Sequence, residues 1–221
     1  MKRKKSRKES KPKFNLLIIV FVPLIIILLG FRIIVYNQSF YEKEFQKNNV
    51  YETFPEQTVD IEVGNLFNYL INDKKLDTTF FNEKEKSHLK DVKDMIDSAI
   101  NLLLILILLF FILLIYFYNT KQLIIFFNSL MLGSFLSIFL ILIIFLLSLS
   151  NFDDLFLNFH LISFNNDLWL LNPETDNLIK LFPQQFFYDA LSRIVIYSLL
   201  ISVLVLIFSF YIRNRLKYNN T

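Results

Sequence analysis

The sequence has no cysteine, three glycines and only two histidines among its 221 residues. Without cysteine the chain can form no disulfide, no thiol nucleophile and no thiolate metal site. The histidines, His88 and His160, are then the natural candidates for proton transfer near neutral pH, because free imidazole has a pKa of about 6.5. No HExxH or other tight ligand spacing surrounds them, so the sequence predicts no metal site.

The apolar residues, 54% of the chain, are concentrated in long runs rather than spread along it. Runs of about 20 apolar residues are typical of transmembrane helices. The sequence predicts four such spans, at residues 14–36, 98–118, 122–148 and 188–212. The predicted fold class is therefore an all-α polytopic membrane protein with four transmembrane helices and a small extracellular cap.

The distribution of charge predicts the orientation of the chain in the cell membrane. A basic head at residues 1–13 and a basic tail at 213–221 flank the spans, and basic residues favour the cytoplasmic side. A basic cluster can also bind nucleic acid, but this head runs straight into an apolar span, so no nucleic-acid partner is expected. The multi-pass chain is predicted to be N-in and C-in, with a cytoplasmic turn at 119–121 and external segments at 37–97 and 149–187.

The external segment 37–97 carries more acidic than basic residues and three weak signals of regular structure. Residues 57–63 alternate between apolar and polar side chains, which predicts a short strand. Residues 66–70 predict one or two helical turns. Asn82 is a suitable N-cap for a helix that continues directly into the second span.

The two histidines are expected to meet although 72 positions separate them in the sequence. His88 lies a few turns before the second span, and His160 lies a few residues beyond the third. The second and third spans form a hairpin, so their outer ends are adjacent and both histidines fall in one layer above the outer leaflet. The alternative is that each is an ordinary surface histidine, solvated or hydrogen-bonded.

The segment around His160 offers further candidate site residues. Asn165 and Asn166 could donate their side-chain amides to a developing oxyanion, with Asp167 beside them, although such residues are also common in turns. The aromatic candidates could form a ligand pocket, an interfacial belt or both, and they are Phe159, Phe164, Trp169, Phe186 and Phe187.

Three further alternatives concern an arginine, a serine nucleophile and a zinc site. Arg193 lies within the fourth span and is a candidate binding residue, but it could instead snorkel to the surface or pair with Asp189. A serine nucleophile is only weakly indicated, because no serine lies in a Gly-x-Ser-x-Gly turn. A zinc site would need the histidines together with acidic residues, the candidates being Glu85, Asp91, Asp167 and Asp176.

Residues 160–179, followed by 181–189 and preceded by 85–93, resemble the motifs of bacterial lipoprotein intramolecular transacylases. The resemblance covers essentially the whole chain except the basic head. It implies a four-helix membrane bundle with an extracellular cap and two catalytic histidines between cap and membrane, which here are His88 and His160.

The resemblance also implies the reaction. The sn-2 acyl chain of a diacylglyceryl group moves to the α-amino group of the N-terminal cysteine of the same lipoprotein, which gives the lyso-form. The implied partners are a diacylated lipoprotein substrate and membrane lipid. Neither a cofactor nor a metal nor an obligatory protein partner is implied.

Two other functions remain open at the level of the residues. The same histidine pair would serve a different outer-leaflet lipid hydrolase or acyltransferase. A non-enzymatic membrane subunit, whose cap binds a partner, would tolerate the loss of either histidine.

Overall fold

The structure, a computed structural model, describes residues 14–219 except 73 and 77. The predicted basic head lies outside the described residues. Within them, the regular elements are all helices. In chain order they are α1 (Asn15–Val35), α2 (Gln38–Lys47), α3 (Val50–Thr53), α4 (Glu56–Ile71), α5 (Glu83–Asn119), α6 (Leu123–Ser150), α7 (Phe152–Ser163), α8 (Asn177–Leu181) and α9 (Gln184–Tyr218).

Four of these helices, α1, α5, α6 and α9, are long and apolar enough to cross a membrane, with mean hydropathies of 2.6 to 3.1 over their most apolar stretches. They form a bundle in which α6 packs against α9 and α1, and α1 also packs against α5. Large apolar side chains such as Leu108 and Leu204 point outward and are exposed. A water-soluble protein rarely exposes apolar surface on this scale, so the predicted membrane fold class is confirmed.

Small residues let the bundle helices approach closely. Ser134 and Ser137 of α6 are fully buried, and each donates its hydroxyl to the carbonyl of the residue four positions earlier. The hydroxyls are thus satisfied within their own helix and need no partner across the interface. Gly133 completes this face, because a Cβ built on it would lie 2.8 Å from the Cβ of Val22 in α1.

A cap covers one end of the bundle, where α1 ends and α9 begins. It consists of α2, α3, α4, α7, α8 and the first turns of α5. Its apolar core is separate from that of the bundle and includes Phe45, Val59, Leu89, Leu181 and Phe186. The cap therefore has its own packed interior and can hold side chains rigidly above the spans.

The predicted strand at 57–63 is wrong, because these residues belong to the helix α4. A strand would place Val59, Ile61 and Val63 on one face. In the structure Val59 and Val63 are buried together with Leu66, whereas Ile61 is 55% exposed. The buried positions follow the i, i+4, i+7 spacing of a helix, which the short apolar alternation concealed.

The predicted helix after Asn82 is confirmed, and it runs without a break from the cap into the membrane as the 37-residue helix α5. A capping box fixes its start: the Asn82 side chain accepts the Glu85 backbone N–H at 3.0 Å, and the Glu85 carboxylate accepts the Asn82 N–H at 2.7 Å. Because cap and span share one helix, residues in its first turns hold a fixed position relative to the membrane.

Replacing Gly133 by alanine should destabilise the protein, whereas the same change at Gly64 should not. At Gly64 a new Cβ meets nothing within 4 Å. Alanine is there expected to gain up to about 1 kcal/mol through its higher helix propensity. At Gly133 the Cβ would collide with Val22, and such overpacking costs about 1–3 kcal/mol. Thermal unfolding of both variants in one detergent checks this, and equal melting temperatures would contradict the close packing of α1 on α6.

Candidate active site

The structure brings the two histidines together, as the hairpin of the second and third spans predicted. His88 lies in the second turn of α5, and His160 lies in the last turn of α7. Their ring centroids are 6.3 Å apart, and the planes are inclined by 34°. Both side chains are buried, with 7% and 9% exposure respectively. Neither histidine is therefore a solvated surface residue. The other form of the alternative, an ordinary hydrogen-bonded histidine, stays open for His160.

The helix α7, which positions His160, was not predicted from the sequence. Asn151 caps it, because its side-chain oxygen accepts the backbone N–H of Asp154 at 3.2 Å. Asp153 and Asp154 in the first turn also favour a helix N-terminus. Asn151, with Asp153 and Asp154 two and three positions later, was thus a signal for a helix start in the segment 149–187.

A hydrogen bond fixes the tautomer of His160. Its Nδ1 lies 2.8 Å from the carbonyl oxygen of Phe156, one helical turn earlier. A carbonyl oxygen can only accept, so Nδ1 must carry a proton. In the neutral ring Nε2 is then unprotonated and can accept a proton from a substrate. Phe156 was not among the candidate site residues, although its i−4 position relative to His160 was visible.

Nδ1 of His88 is buried and has no hydrogen-bond partner. Its edge-on neighbour is Phe164, at 5.1 Å between ring centroids. A buried polar atom without a partner is rare and destabilising, and such atoms are found where a ligand completes the bonding. His88 therefore has a buried ring nitrogen without a partner beside the Phe164 ring.

Burial keeps both imidazoles neutral near neutral pH. It lowers the pKa of His88 to about 4, assisted by the charge that His160 would carry and opposed by Asp91. Burial also lowers the pKa of His160, although the Phe156 carbonyl opposes the shift by stabilising the protonated ring. Because both pKa values lie below the ordinary value, both rings are uncharged and ready to exchange protons.

A network of carboxylates ties α5 to the segment after His160. The carboxylate of Glu85, only 1% exposed, accepts the backbone N–H of Leu178 at 2.6 Å in addition to that of Asn82. Asp176 accepts the Asn172 backbone N–H at 2.8 Å and the Asn82 side-chain amide at 2.9 Å. These bonds, led by the one from Asn172, lower the pKa of Asp176.

Glu85 and Asp176 are therefore occupied in fixing the backbone rather than facing the histidines. Within the ranges that the structure describes, no three residues among His, Asp and Glu converge as a metal site would require.

The three polar candidates after His160 lie at the edge of the site. Asn166 donates to the Asp91 carboxylate at 2.9 Å, and its side-chain oxygen Oδ1 accepts the Leu168 backbone N–H at 3.0 Å. It therefore holds the loop after α7 onto α5, one turn beyond His88. Asn165 and Asp167 are exposed.

The aromatic candidates separate into two groups. Phe164 contacts both histidines, and the rings of Phe159 and Trp169 lie 5.3 Å and 4.9 Å from His160. Phe187 reaches the site only indirectly, through its contact with Phe156 at 5.0 Å.

Phe186 and Arg193 lie elsewhere. Phe186 belongs to the core of the cap, because it points from the start of α9 towards Phe45 and Phe182. Arg193 is exposed on α9. Asp189 was a possible partner of Arg193, but in the structure it forms an ion pair with Lys47 of α2.

Comparison with known proteins identifies the family of the chain. Residues 16–187 match the family model described as lipoprotein intramolecular transacylase Lit. No curated protein matches the sequence significantly.

The fold matches that of solved structures. One is the membrane-integral lipoprotein intramolecular transacylase Lit from Bacillus cereus, with a TM-score of 0.80 and 23% identity over 94% of this chain and 95% of that one. Two variants of the same protein, in which a histidine is replaced by alanine or by arginine, match with TM-scores of 0.78 and 0.79 at 23% identity. The match to the alanine variant covers 93% of this chain and 94% of that one. The match to the arginine variant covers 94% of this chain and 93% of that one.

The family model spans most of the chain, and the structural matches span nearly all of it. The four apolar helices and the membrane-integral relative agree on a multi-pass membrane protein. The chain therefore belongs to the family of lipoprotein intramolecular transacylases, and it is an acyltransferase.

Proposed function

We propose that His88 and His160 together catalyse the O-to-N transfer of the sn-2 acyl chain to the α-amino group within one diacylated lipoprotein. The observation that carries this proposal is the pair of buried, neutral imidazoles 6.3 Å apart, of which His160 has its Nε2 free to accept a proton. A substrate group between the two rings would face a base on one side and a hydrogen-bond donor on the other.

His160 acts as the base in the first half of the reaction. The α-amine, with a reference pKa of about 7.7–8.0, attacks the ester carbonyl and forms the new C–N bond. As it does so, the nitrogen gives one proton to Nε2 of His160. The Phe156 carbonyl then stabilises the imidazolium, because it already accepts the proton on Nδ1.

His88 assists the oxygen on which negative charge develops. Its neutral ring carries one N–H, which donates to the oxyanion of the tetrahedral intermediate. The intermediate then collapses: the bond between the acyl carbon and the sn-2 oxygen breaks, and the protonated His160 returns its proton to that oxygen. The products are an amide and an alcohol, so the proton balance closes without a protein nucleophile or a cofactor.

The protein's main contribution is orientation. Amine and ester belong to one flexible lipid, and holding them in attack geometry can supply much of the rate. Phe159, Phe164 and Trp169 form an apolar wall around the histidines that suits this task. The same burial disfavours water as a competing nucleophile, which would hydrolyse the ester instead.

The site is proposed to lie on the outer side of the cell membrane. At the end of the bundle away from the cap, the charged residues of the described chain are basic, namely Lys121, Arg213, Arg215 and Lys217. Such residues favour the cytoplasm, which supports an N-in and C-in arrangement with the cap outside.

Replacing either histidine by alanine should lower the transfer rate by roughly 10²–10⁴-fold, the usual contribution of general acid–base catalysis. The double variant should lose far less than the product of the two effects, because the residues act as one unit. The assay is mass spectrometry of the N-acylated lyso product formed from a diacylated lipopeptide with a free α-amine.

The matched control is Lys90→Ala, which changes an exposed residue of the same helix two positions after His88. It should retain full activity. Near-normal transfer by a folded His160→Ala protein would refute the mechanism. Release of free fatty acid by the wild type, in place of the amide, would identify a hydrolase.

Labelling of single cysteines tests the orientation. The chain has no cysteine of its own, so each variant carries a single thiol. Cysteines at the exposed cap positions Glu42 and Glu174 should react with an impermeant thiol reagent in intact cells. A cysteine at Asn119, the last residue of α5, should react only once the membrane is opened. Labelling at position 119 in intact cells would contradict the four-span arrangement or its proposed orientation.

A further inference from the structure

Trp169 is the only tryptophan of the chain, and its indole packs on the ring of His160. The ring centroids are 4.9 Å apart, and the ring planes are inclined by 31°. Two phenylalanine rings of α7 stand nearly perpendicular to the imidazole, Phe156 at 78° and Phe159 at 83°. The ring of Phe164 is farther away, at 5.8 Å. Trp169 is therefore the close neighbour whose π face is most nearly presented to the imidazole.

Two hydrogen bonds to α5 hold the segment that carries Trp169. Three residues before it, Asn166 donates to the Asp91 carboxylate at 2.9 Å. One residue after it, the Leu170 carbonyl accepts from Nζ of Lys84 at 2.5 Å. An interfacial belt requires only that a tryptophan reach the headgroups. Here the half-buried indole is fixed between two attachments, so its position relative to His160 is defined.

A proton on His160 has no carboxylate to balance its charge among the described residues. Nδ1–H of the ring already donates to the Phe156 carbonyl. From α5 the ring is faced by His88, and Asp91 lies one turn further along that helix. From α9, Tyr188 contacts α7 only at its opposite end. Uncharged neighbours must therefore stabilise the imidazolium during the reaction.

We propose that Trp169 is a positioning residue for the proton transfer, because its indole face stabilises the imidazolium that His160 forms on taking the proton of the α-amine. The inference rests on the proposed function of His160 as the base. A cation within about 6 Å of an indole centroid is attracted by the electron-rich ring face, most strongly where water is excluded. No bond to Trp169 forms or breaks, and the proton passes from the amine to Nε2 of His160 and then to the sn-2 oxygen.

This role differs in sign from that of a plain apolar wall. A wall would only exclude water, and burial lowers the pKa of His160. An indole face that attracts the charged ring raises that pKa instead. Weakening the π face without changing the size of the side chain therefore separates the two roles.

Fluorinated indoles supply such a change, because fluorine withdraws electrons from the ring face and alters its size little. Mono-, di- and trifluorotryptophan would be introduced at position 169 of the full-length protein by stop-codon suppression. The pKa of His160 in the substrate-free protein, followed by nuclear magnetic resonance of labelled histidine, should fall with each added fluorine. Loss of most of the contact corresponds to a roughly threefold to thirtyfold larger acid dissociation constant. An unchanged or a raised pKa across the series would overturn the inference.

His88 is the internal control of this titration, because its ring contacts are with His160 and Phe164 rather than with Trp169. Its own titration should stay unchanged across the series. The rate of acyl transfer should fall in the order of the His160 pKa, since a weaker base takes the proton of the amine less readily. A lowered pKa with an unchanged rate would contradict His160 as the base and leave the indole contact standing, so the two proposals fail separately.

The emission of the single tryptophan tests the contact itself. A protonated imidazole in contact with an excited indole quenches its emission, whereas the neutral ring does so only weakly. The emission of Trp169 should therefore decrease as the pH falls through the pKa of His160, and His160→Ala should abolish that transition. Absence of the transition in the wild type, or its persistence in His160→Ala, would overturn the inference.

Two matched variants of α5 test how the indole is held. Lys84→Met removes the attachment to the Leu170 carbonyl. Lys86→Met removes an equal charge two positions later, where the side chain pairs with Glu83 instead. The first variant should weaken the quenching of Trp169 at low pH, and the second should leave it as in the wild type. Equal quenching in both would contradict the placement of the indole by Lys84.

Discussion

The buried carboxylate of Glu85 joins the two parts of the chain that form the site. It lies one turn before His88, closes the capping box of α5, and accepts the backbone N–H of Leu178 from the segment that follows His160. Because a buried carboxyl group is destabilising unless it is hydrogen-bonded, the folded protein depends on both contacts. The helix that carries His88 is thereby fixed to the segment that carries Trp169, and the aromatic wall closes over both histidines.

Within this frame, burial determines the chemistry of the histidines more than any neighbouring charge does. Desolvation is the largest contribution to the lowered pKa of each ring. The Phe156 carbonyl then decides which nitrogen of His160 is free. An intramolecular transfer suits such a site, since the substrate supplies both reacting groups and the protein has only to orient them and move one proton.

Much of the fold could be predicted from the sequence, because long apolar runs and the Asn82 cap are local signals. The failures have physical causes. The alternation at 57–63 fitted strand and helix equally well, and burial against the cap core selected the helix. Long-range contacts left no local trace: Asn166 binds Asp91 from 75 positions away, and Asp189 binds Lys47 from 142 positions away. For the same reason Phe186, one residue from Phe187, turned out to belong to the cap core.

Nuclear magnetic resonance of the protein with ¹⁵N-labelled histidine tests the central claim most directly, because the chain contains only two histidines. At neutral pH both rings should be uncharged, and the proton of His160 should reside on Nδ1. As the pH falls, a lowered pKa means later protonation, so His160 should titrate below the ordinary value of 6.5 and His88 only near pH 4. A charged ring at neutral pH, or a His160 proton on Nε2, would contradict the assignment of His160 as the base.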